Sequence, residues 1–420
     1  MDSDMFSNND FPLSPVPLDQ RKGFVSMTSV LLGFTFFTAT MWAGGKLGSS
    51  FSFYELIGLI FIGNLLLGGY AASLGYIAYR TGLNTVLLSR YCFGNQGSKL
   101  VDLILGFTQI GWYAWGTATI AIVLVELLNL PQSLTLPLML LFGFAFCLTA
   151  LIGYRGLEFL SKISVPAMLF FIGLSLFQGA IDIGGIEALI SQTPEQSLSY
   201  SAAITLVFGT FVSGATQATN WSRFSKSGKI AITSTLLAFF IGNGLMIFVG
   251  AFGVLVYQEA DMVDVLVSQG FMLIAVLMLF SNIWTTQDNT IYNFAAAGCH
   301  LLRTKQRSRV ILAGASIGTL LAVFGMYEFL IPFLILLGTF IPPIGAIIIT
   351  DFWLKRRHDT LSFEDVTFSK INYAGLIAYS MGSGAAYLSE WVAPIIGILV
   401  AAISYGLLDL LLKKQVQIEA

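Results

Sequence analysis

Charged residues fall along this chain in clusters, and between the clusters lie twelve stretches of 18 or more residues without Asp, Glu, Lys or Arg. They run between Lys22 and Lys46, Glu55 and Arg80, Asp102 and Glu126, Glu126 and Arg155, Lys162 and Asp182, and Glu195 and Arg223. The second six run between Lys229 and Glu259, Asp264 and Asp288, Arg309 and Glu328, Glu328 and Asp351, Lys370 and Glu390, and Glu390 and Asp409. About 20 apolar residues carry a helix across a bilayer core. The pattern therefore predicts twelve transmembrane helices, numbered as segments one to twelve. Composition agrees: of 420 residues 56% are hydrophobic and 10% charged, with mean hydropathy +0.80, against about 25% charged in a soluble domain. The predicted class is an all-α integral membrane protein.

The basic residues orient it. With the N-terminus in the cytoplasm, every Lys and Arg except Lys46 falls on an inner segment, as the positive-inside rule requires. Acids mark two outer loops, through Asp182, Glu187 and Glu195 and through Glu259, Asp261 and Asp264. Both termini are thus predicted to be cytoplasmic. Residues 1–22, polar and bearing Asp2, Asp4, Asp10 and Asp19, read as a cytoplasmic tail and not as a signal peptide; residues 413–420 read as a second tail. The longest loops, near 81–98, 183–199 and 352–370, are too short for a soluble domain.

Several functions are excluded. A net charge of −2 without a basic face argues against nucleic acid. Cys92, Cys147 and Cys299 form no CxxC pair, and the only histidines, His300 and His358, stand beside basic clusters; neither a disulfide framework, a zinc site, a His-ligated metal centre nor an organic cofactor is expected.

A weak repeat runs through the chain. Phe61-Ile62-Gly63-Asn64 matches Phe240-Ile241-Gly242-Asn243, 179 residues on; Trp112 matches Trp284, and Gly33-Phe34-Thr35-Phe36 matches Gly209-Thr210-Phe211, at similar offsets. These matches split segments one to ten into 23–180 and 196–351, with 371–412 as two added helices. Five helices per half make the halves inverted. Segment one (Gly33, Thr35, Thr38, Thr40, Gly44, Gly45) and segment six (Gly209, Thr210, Ser213, Gly214, Thr216, Thr219) are rich in small and hydroxyl residues. Small residues allow close packing; in corresponding helices of two halves they also suit broken helices around a cavity, which is the reading favoured here.

Candidate chemistry sits on three segments. In segment eight, Asn282, Thr285 and Thr286 share a helix face. Two hydroxyls and the carbonyl of Asn282 make half of a hard-cation site, and carbonyls freed near Gly33 and Phe36 complete it; without a carboxylate it suits Na⁺ better than Ca²⁺. Plain hydroxyl bonds to the i−4 carbonyl are the alternative. In segment three Gln109 and Trp112 share a face, and an amide beside an indole suits a flat, neutral solute; packing is the alternative. Phe211 and Ser213 offer a second face and a hydroxyl. Asp288 is the acid expected within membrane depth, toward the inner end of segment eight, as a gate, a structural group or a proton carrier. Gly314-Ala315-Ser316-Ile317-Gly318 spells a nucleophile elbow but lies mid-helix, where it reads as a packing motif. Pro342-Pro343 predicts a kink beside the site.

These strings carry a resemblance. Thr35-Phe36-Phe37-Thr38-Ala39-Thr40-Met41-Trp42, Gly63-Asn64-Leu65-Leu66-Leu67-Gly68, Thr108-Gln109-Ile110-Gly111-Trp112, Asn282-Ile283-Trp284-Thr285-Thr286-Gln287-Asp288-Asn289 and Ile341-Pro342-Pro343-Ile344-Gly345 resemble the bacterial cytosine permeases of the nucleobase:cation symporter family, over nearly the whole chain. The resemblance implies a leucine-transporter-type fold, five plus five inverted helices and two more, with helices one and six broken. It implies a base stacked on Trp112 with Phe211 opposite, and polar contacts from Gln109, Ser213, Asn282 and backbone near Phe37. It implies a sodium site from the carbonyls of Gly33, Phe36 and Asn282 and the hydroxyls of Thr285 and Thr286. One departure is Asn220, where such relatives carry an acid nearby.

The expected function is sodium-coupled import of cytosine through the bacterial inner membrane by alternating access, by a monomer in the bilayer. Another nucleobase, a hydantoin or proton coupling is the alternative within the class. A channel is disfavoured by the absence of a charge ring, and an enzyme by the missing His, Cys and metal set.

Overall fold

The computed structural model describes residues 10–418 except 193, 195–197 and 358–362. Asp2, Asp4, Glu195 and His358 lie outside the described residues, as do the side chains of Lys413 and Lys414.

Every regular element among the described residues is helical. In chain order these are α1 (Phe24–Thr35), α2 (Thr38–Gly48), α3 (Phe53–Thr81), α4 (Thr85–Leu127), α5 (Thr135–Ala145), α6 (Cys147–Ile152), α7 (Tyr154–Asp182) and α8 (Ile186–Ile190). Then follow α9 (Tyr200–Gly209), α10 (Val212–Thr216), α11 (Thr219–Ser222), α12 (Gly228–Leu236), α13 (Asn243–Tyr257), α14 (Met262–Ser268) and α15 (Met272–Leu302). The last are α16 (Arg307–Val323), α17 (Leu330–Phe340), α18 (Pro342–Asp351), α19 (Tyr373–Leu388) and α20 (Ala393–Ile418).

Among the described residues, seven helical stretches are long and apolar enough to cross a membrane, and nine if two bent pairs each count as one. Predicted segments eight, nine and eleven fall outside that measure. α16 and α19 are short, at 17 and 16 residues. α15 has 31 residues, but its middle is polar from Asn282 to Asn293, and those polar side chains are buried in protein. Asp288 lies mid-helix there, not near an end as the charge spacing suggested. Polar groups facing lipid are costly, so α15 stands inside the bundle against α1, α4, α7 and α16. The outer surface is apolar instead: Phe159, Phe170 and Phe177 of α7 are all exposed.

Two bends lie over α15 and its neighbours. α1 and α2 meet at 60° across Phe36 and Phe37, both extended, and α9 and the α10–α11 stretch meet at 54° across Thr210 and Phe211. The glycines of α2 have a different role. A Cβ on Gly44 would strike the carbonyl of Ile247, and one on Gly250 the carbonyl of Met41, so α2 and α13 touch backbone to backbone. Gly314 and Gly318 likewise seat Phe294 and Tyr113. α18 begins at Pro342, whose carbonyl accepts from the Tyr70 hydroxyl at 3.3 Å.

One predicted loop and part of the predicted N-terminal tail are ordered. Residues 85–93 are helical and turn into the long span at Gly94, φ +79°, where a side chain would meet the backbone of Ser369 and Asn372; Arg90 and Lys99 had made this stretch look like a loop. The N-terminal tail is docked from Asp10 onward. Its carboxylate takes Arg307 Nη1 at 2.8 Å and the Tyr154 amide at 2.9 Å, while the carbonyls of Asp10 and Phe11 take the Arg223 guanidinium at 2.7 Å each. A buried carboxylate needs such partners, and they hold the segment against α7, α11 and α16.

Candidate substrate and cation site

Unwinding at Phe36 and Phe37 frees backbone groups that no helix satisfies, and α15 supplies their partners. The Thr286 hydroxyl lies 3.2 Å from the Phe36 carbonyl, 3.5 Å from that of Phe34 and 3.1 Å from that of Asn282. The Asn282 side-chain carbonyl accepts from the Thr38 amide at 3.0 Å and the Thr38 hydroxyl at 2.9 Å. Thr285 turns to the carbonyls of Ser281 and Asn282, and Gly33 packs against Thr285. The carbonyls of Phe36 and Asn282 and the hydroxyls of Thr285 and Thr286 thus lie together, with the Gly33 backbone against Thr285 and no carboxylate among them. Neutral oxygens of this kind suit a hard cation of low charge.

Next to this set lies a tight gap of ≈ 10 Å³, room for about one water molecule, lined by Phe34, Phe37, Trp112, Thr210, Phe211, Ser213, Thr286 and Thr290. The Trp112 indole donates to Ser213 Oγ at 3.3 Å. The Phe37 ring is edge-on to Trp112, centroids 5.5 Å apart, and lies 6.4 Å from Phe211. Trp112 and Phe211, expected to flank a base, therefore have Phe37 beside both. Gln109 and Asn282 do not line this space, yet both are buried; neither amide atom of Gln109 has a partner, nor has Asn282 Nδ2. Orphaned amides are costly in a protein interior.

Sequence reasoning missed Phe34, Phe333, Trp115 and Gln287. Phe333 and Trp115 pack on Trp112 at 5.4 and 6.3 Å, and Gln287 Nε2 holds the Trp112 carbonyl at 3.1 Å. Gln287 has a signal, since Gly116 on α4 leaves the room its amide occupies; the others follow only from packing. Asp288 takes the Thr149 hydroxyl at 2.9 Å and Asn289 Nδ2 at 3.0 Å, away from this space. Asn220, near which the resembling permeases carry an acid, donates to Asn293 Oδ1 at 2.7 Å.

The family of permeases for cytosine and purines, uracil, thiamine and allantoin matches residues 15–409. The cytosine permease of Escherichia coli strain K12 is 36% identical over 411 residues, covering 98% of this chain and 97% of that one. The chain belongs to this permease family.

A cytosine/purine-type permease is a transporter and not an enzyme, and it is a multi-pass membrane protein carrying a small nucleobase-like solute. Its fold is that of Mhp1, a nucleobase-cation-symport-1 transporter solved closed with bromovinylhydantoin bound: TM-score 0.82 at 18% identity, covering 93% of each chain. A Na⁺-coupled sialic acid symporter shares the fold at TM-score 0.69 and 12% identity, over 92% of this chain and 89% of that one.

Proposed function

We propose that this permease is a sodium-coupled symporter that imports cytosine across the bacterial cytoplasmic membrane by alternating access. One observation carries the reading: Thr286 belongs to both halves of the site. Its hydroxyl is bonded to carbonyls of the cation set, and its side chain lines the aromatic space. An ion held by Thr285, Thr286 and the carbonyls of Gly33, Phe36 and Asn282 therefore orders a wall of the substrate space. Binding of ion and solute is then coupled in both directions. Trp112 and Phe211 offer stacking faces, and Gln109, Ser213, Asn282 and the backbone near Phe37 offer polar contacts.

In this reading the chain forms twelve spans, two inverted sets of five and two more, with α1–α2 and α9–α11 as broken spans, both termini cytoplasmic, and the monomer as the working unit. The 36% identity to a cytosine permease supports the substrate. The carboxylate-free oxygen set, and the fold shared with a Na⁺-coupled symporter, support the ion.

Uptake of labelled cytosine into proteoliposomes, with Na⁺ and H⁺ gradients imposed separately, tests it. An inward Na⁺ gradient drives accumulation, and unlabelled cytosine competes far better than uracil or hydantoin. Accumulation on a proton gradient alone sinks the sodium reading and selects proton coupling, for which Asp288, buried between Thr149 and Asn289, is the group on hand. Equal competition by hydantoin overturns the substrate.

A further inference from the structure

Hydroxyls buried in these helices mostly return to a carbonyl one turn back: Thr285 to Ser281, Thr290 to Thr286 and Thr319 to Ala315. Ser161, on α7, does not. It is fully buried, and its Oγ has no hydrogen-bond partner among the described residues. Leaving a buried hydroxyl unpaired destabilises a fold unless something else uses it.

Its position says what uses it. A Cβ built on Gly33 would lie 2.5 Å from Ser161 Oγ and 3.4 Å from Thr285 Cβ. The orphan hydroxyl thus sits in the niche that the missing Gly33 side chain leaves, beside one member of the cation set, with Thr285, another, on the same niche. Neither is on α7, and α7 packs against both α1 and α15.

We propose that Ser161 is a further oxygen ligand of the transported cation, contributed by α7 to the site shared by α1 and α15. The proposal rests on the sodium reading above. Where no carboxylate is present, the number of neutral oxygens sets affinity and selectivity, so one hydroxyl more is a large fraction of the site. The ligand also ties a third helix to the ion: filling the site draws α7 to α1 and α15, and losing the ion releases it. Gly33 is then required for want of a side chain, since any Cβ takes the hydroxyl's place.

The test uses purified full-length protein, with NaCl exchanged for choline chloride at constant ionic strength. Labelled-cytosine binding and thermal unfolding are both followed against Na⁺. Ser161→Ala should unfold without sodium at the wild-type temperature or slightly above, because an unpaired hydroxyl has gone. The Na⁺ concentration for half-maximal effect should rise about tenfold. Ser161→Cys, with a soft sulfur that a hard cation avoids, should behave as the alanine variant does. Thr286→Ala is the reference for the site itself. If Thr286→Ala raises the sodium requirement and Ser161→Ala leaves it unchanged, Ser161 is no ligand while the sodium site stands. If neither variant raises it, the sodium reading falls and the proposal with it. If Ser161→Ala lowers stability without sodium and keeps the wild-type sodium response, the serine only packs, and the proposal is overturned.

Discussion

Asn243 Nδ2 donates to Asn64 Oδ1 at 2.8 Å, joining two residues 179 positions apart that occupy matching places in the Phe-Ile-Gly-Asn strings. The phenylalanines that open those strings, Phe61 and Phe240, are also in contact, with centroids 5.3 Å apart. Asn243 reaches both bends as well. Its Oδ1 accepts from Thr40, just past the α1–α2 bend, at 3.3 Å, and its Nδ2 donates to Thr210, at the α9–α10 bend, at 3.0 Å.

Asn243→Ala therefore strips partners from Asn64, Thr40 and Thr210 together, in a site that is fully buried. The expected loss is about 1–3 kcal/mol. Asn64→Ala added to it should cost much less than it does alone, because the two share a bond. Thermal unfolding of the four proteins of this cycle in detergent measures the coupling; strict additivity means the contact is energetically idle.

Trp112 and Gln109 should separate affinity from selectivity. Stacking on an indole is accepted by every base, so Trp112→Ala should weaken all competing bases together, by roughly 1–3 kcal/mol. Gln109 has both amide atoms buried and unpaired. Gln109→Leu should leave the empty protein as stable or more so while cytosine binding falls, since in the proposed reading cytosine pairs the amide. Competition assays that show Trp112→Ala reversing the rank of the bases, or Gln109→Leu importing cytosine normally, contradict this assignment.

The docked N-terminal segment makes a stability prediction. Arg307 is nearly buried and its charge is met by Asp10. Asp10→Ala leaves that cation without its counter-ion and the Tyr154 amide without its acceptor, and should cost about 3–5 kcal/mol. Asp10→Ala with Arg307→Leu should recover much of the loss, because the uncompensated charge is gone. The unfolding midpoints of the three proteins decide; a double variant no better than the single points to the Arg223 contacts with the Asp10 and Phe11 carbonyls instead.

Cysteine labelling checks the orientation. Cys92, Cys147 and Cys299 are buried and unpaired, so the background with a membrane-impermeant maleimide on whole cells is low. Glu187→Cys should label from outside and Lys305→Cys only after the membrane is opened. The reverse pattern would turn the molecule over and void the count of basic residues.

Much of this protein is decided by its linear pattern. Charge-free stretches as long as a bilayer is thick define spans wherever a helix has one face toward lipid, because lipid imposes its demand on each segment separately. Spacing on a single helix was legible for the same reason: Asn282, Thr285 and Thr286, or Gln109 and Trp112, share a face by the geometry of one helix. What one helix shows another depends on the packing of all of them. α15 is polar through its middle yet central, which a hydropathy reading cannot separate from a poor span; only its neighbours make its polarity tolerable. Ser161 is an ordinary serine in sequence and becomes notable because α7 brings it to Gly33. The aromatic slot is likewise a product of assembly. Sequence named Trp112 and Phe211, and the 60° bend at Phe36 and Phe37 is what sets the Phe37 ring beside both. Segment-by-segment solvation wrote the spans into the chain; contacts between residues hundreds of positions apart, which no local pattern encodes, made the site.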